Sequence, residues 1–199
     1  ITPQWKHYII KNQEILQGWL QYNMITYLQR RNPNIPGIVN KLNPPQERKL
    51  ARVKKYWRLI CETAPIRDIY TGRELEPKDI SIDHFVPWSY VTHDELWNLN
   101  PTTKSANSSK SNHLPVWDIY FPKLCEIEYR AYQTTWAHGR ILDEFERCRK
   151  EHVNSDEAWM QLYRECLTKE EYYRNLEGIL LPVYQSAHNM GFKEWEYGR

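Results

Sequence analysis

Between Pro65 and Pro115 the chain abandons the helical periodicity that marks both of its flanks, and this interruption limits what it can fold into. Upstream, Thr2-Pro3 supplies an N-cap and a first-turn proline. Trp5, Tyr8, Ile9, Ile15, Leu16, Trp19, Leu20 and Tyr27 then recur at helical spacing, which predicts one long amphipathic helix reaching about Gln29. Proline-rich turns follow, and a second helix is expected from about Gln46 to Glu62. Its wheel gathers Leu50, Val53, Trp57 and Ile60 on one face and Arg48, Arg52, Lys54, Lys55 and Arg58 on the other. Downstream, helices are expected over 120–137 and 140–152, and another after Ser155 with the stripe Trp159, Leu162, Tyr163, Cys166, Leu167. Thr168 to Glu171 has capping-box spacing and opens a last helix, which Gly178 and Pro182 should disturb.

Inside the interruption the signals are short. Tyr70-Thr71-Gly72-Arg73 reads as a turn in which Gly72 is free to take positive φ. Ser81 to Val86 is an expected strand, 88–97 a loop and Asn98 to Thr103 a second strand. Ser105 is the expected cap of a helix over Ala106 to Ser111. The order is therefore strand, strand, helix between two helical flanks: a mostly helical α+β chain with segments 1–64, 65–117 and 118–199. The flanking helices are expected to wrap the central piece and share its core.

Three fragments in this piece carry chemistry: Asp83-His84-Phe85-Val86-Pro87, Asn98-Leu99 and Asn107-Ser108-Ser109-Lys110. Cleaving a phosphodiester needs an activated water, neutralised phosphate charge and help for the leaving oxygen. A neutral histidine can take the water's proton. A carboxylate and an amide carbonyl suit a hard divalent cation. Adjacent strand residues point to opposite faces. Asp83 and His84 can cooperate if they lie at a strand end and the following helix brings Asn107 towards Asp83.

In this order and spacing the fragments resemble the HNH (ββα-metal) endonucleases, and are similar to the HNH nuclease domain of RNA-guided CRISPR effectors and to phage junction-resolving nucleases of this fold. The Tyr70-Thr71-Gly72 turn also resembles one found before the first strand of such domains. The resemblance implies a small ββα-metal nuclease core embedded between the helical segments. It makes Asp83 and Asn107 metal ligands, His84 the general base, Asn98 the brace of the loop that holds the base, and Lys110 a phosphate contact. It implies one divalent ion, Mg²⁺ first and Mn²⁺ second. Many relatives carry paired cysteines around the site and this chain has none there, so Trp88, Trp97 and Trp117 are expected to hold the unit by packing.

Charge points the same way. The chain's net charge is only +2, yet residues 1–60 hold eleven Lys or Arg against two acids. That split suggests a polyanion partner, duplex DNA first, with Arg48, Arg52 and Lys55 on it. One such site cuts one strand, so a homodimer would serve double-strand cleavage. The four cysteines are widely spaced and read as reduced thiols of a cytoplasmic protein. No apolar run is long enough to cross a bilayer. The chain starts Ile1-Thr2-Pro3 without methionine, as either a fragment or a processed chain would. Two readings stand beside a DNA endonuclease: a nucleic-acid-binding or partner-recruiting module with a degenerate site, and an RNA-cleaving nuclease of the same fold.

Overall fold

The computed structural model describes residues 1–31, 38–39, 50–153 and 155–198. These fall into two compact units, Ile1–Gln46 and Glu47–Arg199. Arg48 lies outside the described residues.

The first unit contains α1 (Pro3–Lys11) and α2 (Gln13–Arg31). Thr2 caps α1 as expected, accepting from the Trp5 amide at 3.5 Å. The single long helix expected here is interrupted at Asn12. Its side-chain amide donates to the Tyr8 carbonyl at 2.8 Å, and its backbone leaves the helical region at φ −111°. Neither helix buries a residue, and Trp5, Ile15 and Trp19 are exposed.

The second unit is a mostly helical α+β body. Helix α3 (Ala51–Thr63) buries Val53, Trp57 and Ile60 completely, the apolar face read from its wheel. The Trp57 indole donates to the Leu99 carbonyl at 2.9 Å, which ties α3 to the centre of the unit. Strands β1 (Ser81–His84) and β2 (Leu99–Thr102) pair antiparallel, with Ser81 opposite Thr102, Asp83 opposite Asn100 and His84 opposite Leu99. Between them the loop folds into α4 (Trp88–Val91) and a 3₁₀ turn, Leu96–Asn98. Helix α5 (Lys104–Lys110) follows β2. Its cap is Thr103, whose hydroxyl accepts from the Ala106 amide at 3.2 Å, in place of Ser105. Threonine wins because its extended backbone directly precedes the first turn.

Helices α6 (Trp117–Ala137), α7 (Gly139–His152) and α9 (Lys169–Asn189) complete the body. The expected helix after Ser155 is shorter than its apolar stripe. A three-residue α8 (Asp156–Ala158) passes into a π turn, Trp159–Tyr163, and stops before Cys166, which sits at φ 63°. Helix α9 has the expected capping box and runs unbroken through Gly178 and Pro182. A feature without a sequence signal is the parallel pairing of β3 (Leu114–Pro115) with β4 (Glu194–Trp195). Trp117 stacks on Phe121 at 4.1 Å and meets Phe85 edge-on, so aromatic packing surrounds the strands. Among the described residues no helix is long and apolar enough to cross a membrane.

Glu128 on α6 is buried in a small cavity among Tyr56, Tyr163 and Tyr172, and its Oε1 finds no hydrogen-bond partner among the described residues. Burial pushes its carboxyl well above the usual range. The folded chain thus keeps this proton while the unfolded chain releases it near 4.5. The contribution to stability is whole below that value and declines as pH rises, by about 1.4 kcal/mol per pH unit, until the folded carboxyl ionises. Glu128→Gln stays neutral throughout. Urea unfolding should therefore find the variant close to the parent at about pH 4 and more stable than it at about pH 8.

Candidate active site

The site is assembled where β1 ends. Ser81 and Asp83 share one face of the strand, Ile82 and His84 the other. Helix α5 lies across the first face. The Asn107 amide nitrogen donates to Ser81 Oγ at 2.9 Å and to the Ile82 carbonyl at 3.1 Å. Anchoring through nitrogen turns the amide's oxygen into the end that can meet a cation.

One helical turn later, Lys110 points inward. Its ammonium lies 3.2 Å from Asp83 Oδ1 and 3.1 Å from Oδ2, and donates to the His84 carbonyl at 2.7 Å. Lys110 is fully buried and Asp83 is 4% exposed. Burial pulls the Lys110 ammonium below the usual lysine value, while Asp83 pulls it back up. The Tyr70 hydroxyl donates to Asp83 Oδ2 at 2.6 Å, and burial first, then Asp83, raises the phenol. Tyr70 is placed by the expected turn: Gly72 takes φ 70°, and Asp68 accepts from the Tyr70 amide and from the Thr71 and Thr102 hydroxyls.

His84 faces the other way and is 4% exposed. Its Nε2 lies 2.7 Å from Asp94 Oδ1. The Asp94 carbonyl in turn accepts from His152 Nδ1, at the end of α7, at 2.9 Å. Asn98 clamps the chain just beyond His84. Its Oδ1 accepts from the Val86 amide at 2.8 Å and its Nδ2 donates to the Val86 carbonyl at 2.9 Å, while its own carbonyl accepts from Phe85.

Two of the α3 bases expected to meet DNA are engaged by acids instead. Arg52 pairs with Glu151 and Lys55 with Glu144, both acids on α7. A cleft of about 710 Å³ opens beside the loop, lined by His93, Glu95, Trp97 and Arg174, and contains none of Asp83, His84 or Asn107.

Among the described residues no three His, Cys, Asp or Glu side chains converge as a metal site. An HNH-type site needs only a carboxylate and amide oxygens, and those are at hand. Asn100, opposite Asp83 in register, is fully buried and its amide interacts with the Tyr70 hydroxyl. A buried amide beside a carboxylate, with Asn107 docked on the same strand, fits a hard cation in donor chemistry.

Residues 68–116 match the HNH endonuclease family. The match opens at Asp68, the acid that organises the Tyr70 turn, and closes one residue before α6. It holds Tyr70, Asp83, His84, Asp94, Asn98, Asn100, Asn107 and Lys110, and leaves out His152 and the α3 bases. The chain is also similar to the CRISPR-associated endonuclease Cas9 of Listeria innocua serovar 6a, 25% identical over 117 residues. That alignment covers 57% of this chain and 9% of the relative, so the chain spans a small fraction of that protein's length. No solved structure matches.

Sequence spacing singled out Asp83, His84, Asn98, Asn107 and Lys110, and these do converge around the end of β1. It missed Tyr70 as a partner of Asp83, although the turn that delivers it was legible. It also missed Asp94, Asn100 and His152, which no motif marks. Because Asn98 satisfies both backbone groups of buried Val86, Asn98→Ala should lower stability by roughly 2–4 kcal/mol in urea unfolding.

Proposed function

We propose that this protein is a metal-dependent endonuclease that hydrolyses phosphodiester bonds in DNA, with His84 as general base. The observation that carries the reading is the junction at the end of β1. There α5 docks Asn107 onto the strand that bears Asp83, while Asn98 clamps the chain after His84. The match of residues 68–116 to the HNH endonucleases supports it.

In this reading Asp83 and Asn107 would hold the divalent ion, Mg²⁺ first and Mn²⁺ second. When bound, that ion supplies positive charge for the phosphate and the departing oxygen. His84 takes a proton from the attacking water. Tyr70 and Lys110 hold the Asp83 carboxylate in place, since both donate to it. The buried Lys110 thus serves Asp83 in this reading, and phosphate contact falls to exposed bases. Arg52 and Lys55 would reach DNA by exchanging Glu151 and Glu144 for phosphate, with Arg48 beside them in sequence. One site cuts one strand, so double-strand cleavage calls for a second copy or a second event.

One observation favours a second reading, a binding module without turnover: Lys110 already neutralises Asp83. Calorimetric titration with Mg²⁺ or Mn²⁺ separates the two, because metal uptake that vanishes in Asp83→Ala belongs to the nuclease. The direct test is plasmid nicking across a panel of divalent metals, beside RNA and single-stranded DNA. His84→Ala should lower cleavage at least a hundredfold, within the usual range of about 10²–10⁴ for a general base, and leave DNA binding intact. Cleavage by His84→Ala at the parental rate would refute the mechanism.

A further inference from the structure

Asp94 sits in the loop that joins the proposed base to its brace, nearer the brace, and none of the three sequence fragments includes it. The structure nevertheless holds it from both ends. Its carboxylate lies 2.7 Å from His84 Nε2, with the two side chains 15% and 5% exposed. Its backbone carbonyl accepts from His152, itself buried in α7. The loop reverses at Thr92, which adopts the left-handed φ of 59°, and this returns Asp94 over His84. A threonine in that region is strained and persists only where the surroundings enforce it.

The chemistry of the contact has one reading. An ionised carboxylate can only accept a hydrogen bond, so the imidazole nitrogen facing it must carry the hydrogen. Nε2 is then the N–H, and Nδ1 keeps the lone pair. The arrangement is the acid–imidazole pair of serine hydrolases with the two ring nitrogens exchanged; there the acid sets the tautomer and steadies the imidazolium that forms. A partner for that charge is needed here, because Asp83 is already matched by Lys110. The two acids at this site therefore divide the work by strand face: Asp83 with Lys110 on one side, Asp94 with His84 on the other.

We infer that Asp94 is the positioning residue of the proposed base, holding His84 as the Nε2–H tautomer so that Nδ1 receives the proton from water. The inference rests on His84 acting as general base. In the step, the water's proton moves to Nδ1 and its oxygen bonds to phosphorus. The P–O3′ bond breaks, and the 3′ oxygen takes a proton from solvent. The imidazolium returns its proton to solvent with Asp94 still in place. His152 acts one link further out, fixing the backbone from which Asp94 reaches.

Two measurements test this on the full chain. Long-range ¹H–¹⁵N NMR of the resting protein reads the His84 tautomer without any turnover. The parent should give the Nε2–H pattern, and Asp94→Asn should lose it, because an amide can donate as well as accept. A parent in the Nδ1–H form would overturn the inference even if the protein never cuts DNA. Single-turnover nicking supplies the second arm. Asp94→Asn should lose roughly 10²–10⁴ in the rate constant, by analogy with the serine hydrolase acid, with DNA affinity and Mn²⁺ affinity unchanged. Asp94→Glu should recover part of the rate. Parental nicking by Asp94→Asn would overturn the role of Asp94 while leaving the nuclease reading intact.

Discussion

The site depends on one buried ion pair. Lys110 on α5 reaches across to Asp83 on β1, and its third contact is the carbonyl of the next residue, His84. Both charges lie in a region almost free of water, where an unpaired ammonium or carboxylate would carry a penalty of several kcal/mol. Their pairing therefore welds helix to strand, and with them Asn107 to Ser81. A buried pair of this kind adds little net stability over an apolar contact of the same shape. What it adds is a single register, because sliding α5 along β1 would leave two charges stranded.

Around that pair the polar groups are layered. Asp68 gathers the Tyr70 turn and the Thr102 hydroxyl, and Tyr70 then donates to Asp83. On the opposite strand face Asp94 engages His84, and α7 steadies Asp94 through His152. The aromatic shell does for this chain what paired cysteines do in many HNH proteins. Phe85, Trp117 and Tyr184 pack against one another where the strand leaves the sheet, and Trp57 hydrogen-bonds to the Leu99 carbonyl. A fixed arrangement of side chains on so small a sheet needs this enclosure, since two strands alone are marginal in water.

Basic charge in the sequence did not reveal the acids that face it in the fold. The wheel of α3 separates its apolar and basic faces correctly, with Val53, Trp57 and Ile60 buried. Yet Arg52 and Lys55 face acids of α7, and Arg58 donates to the Pro77 carbonyl. A helix wheel counts charges on one segment and is blind to a second helix packed beside it. The amphipathic stripe of α1 and α2 fails in the opposite sense, for periodicity is present and no residue is buried.

What the sequence by itself determined is local. Helical periods, the caps at Thr2 and Thr168, the Gly72 turn and the strand, strand, helix order all follow from neighbours within a few residues, where backbone sterics and short-range hydrogen bonds decide. The order Asp83-His84, Asn98, Asn107 also belongs to it, because spacing along two short strands and one helical turn fixes which side chains can meet. Only the tertiary structure decided the partners. Lys110 lies 27 residues from Asp83, and His152 lies 58 from Asp94. Such pairs are set by distance through a water-poor interior, where the strength of a charge contact depends on burial that no single segment can provide.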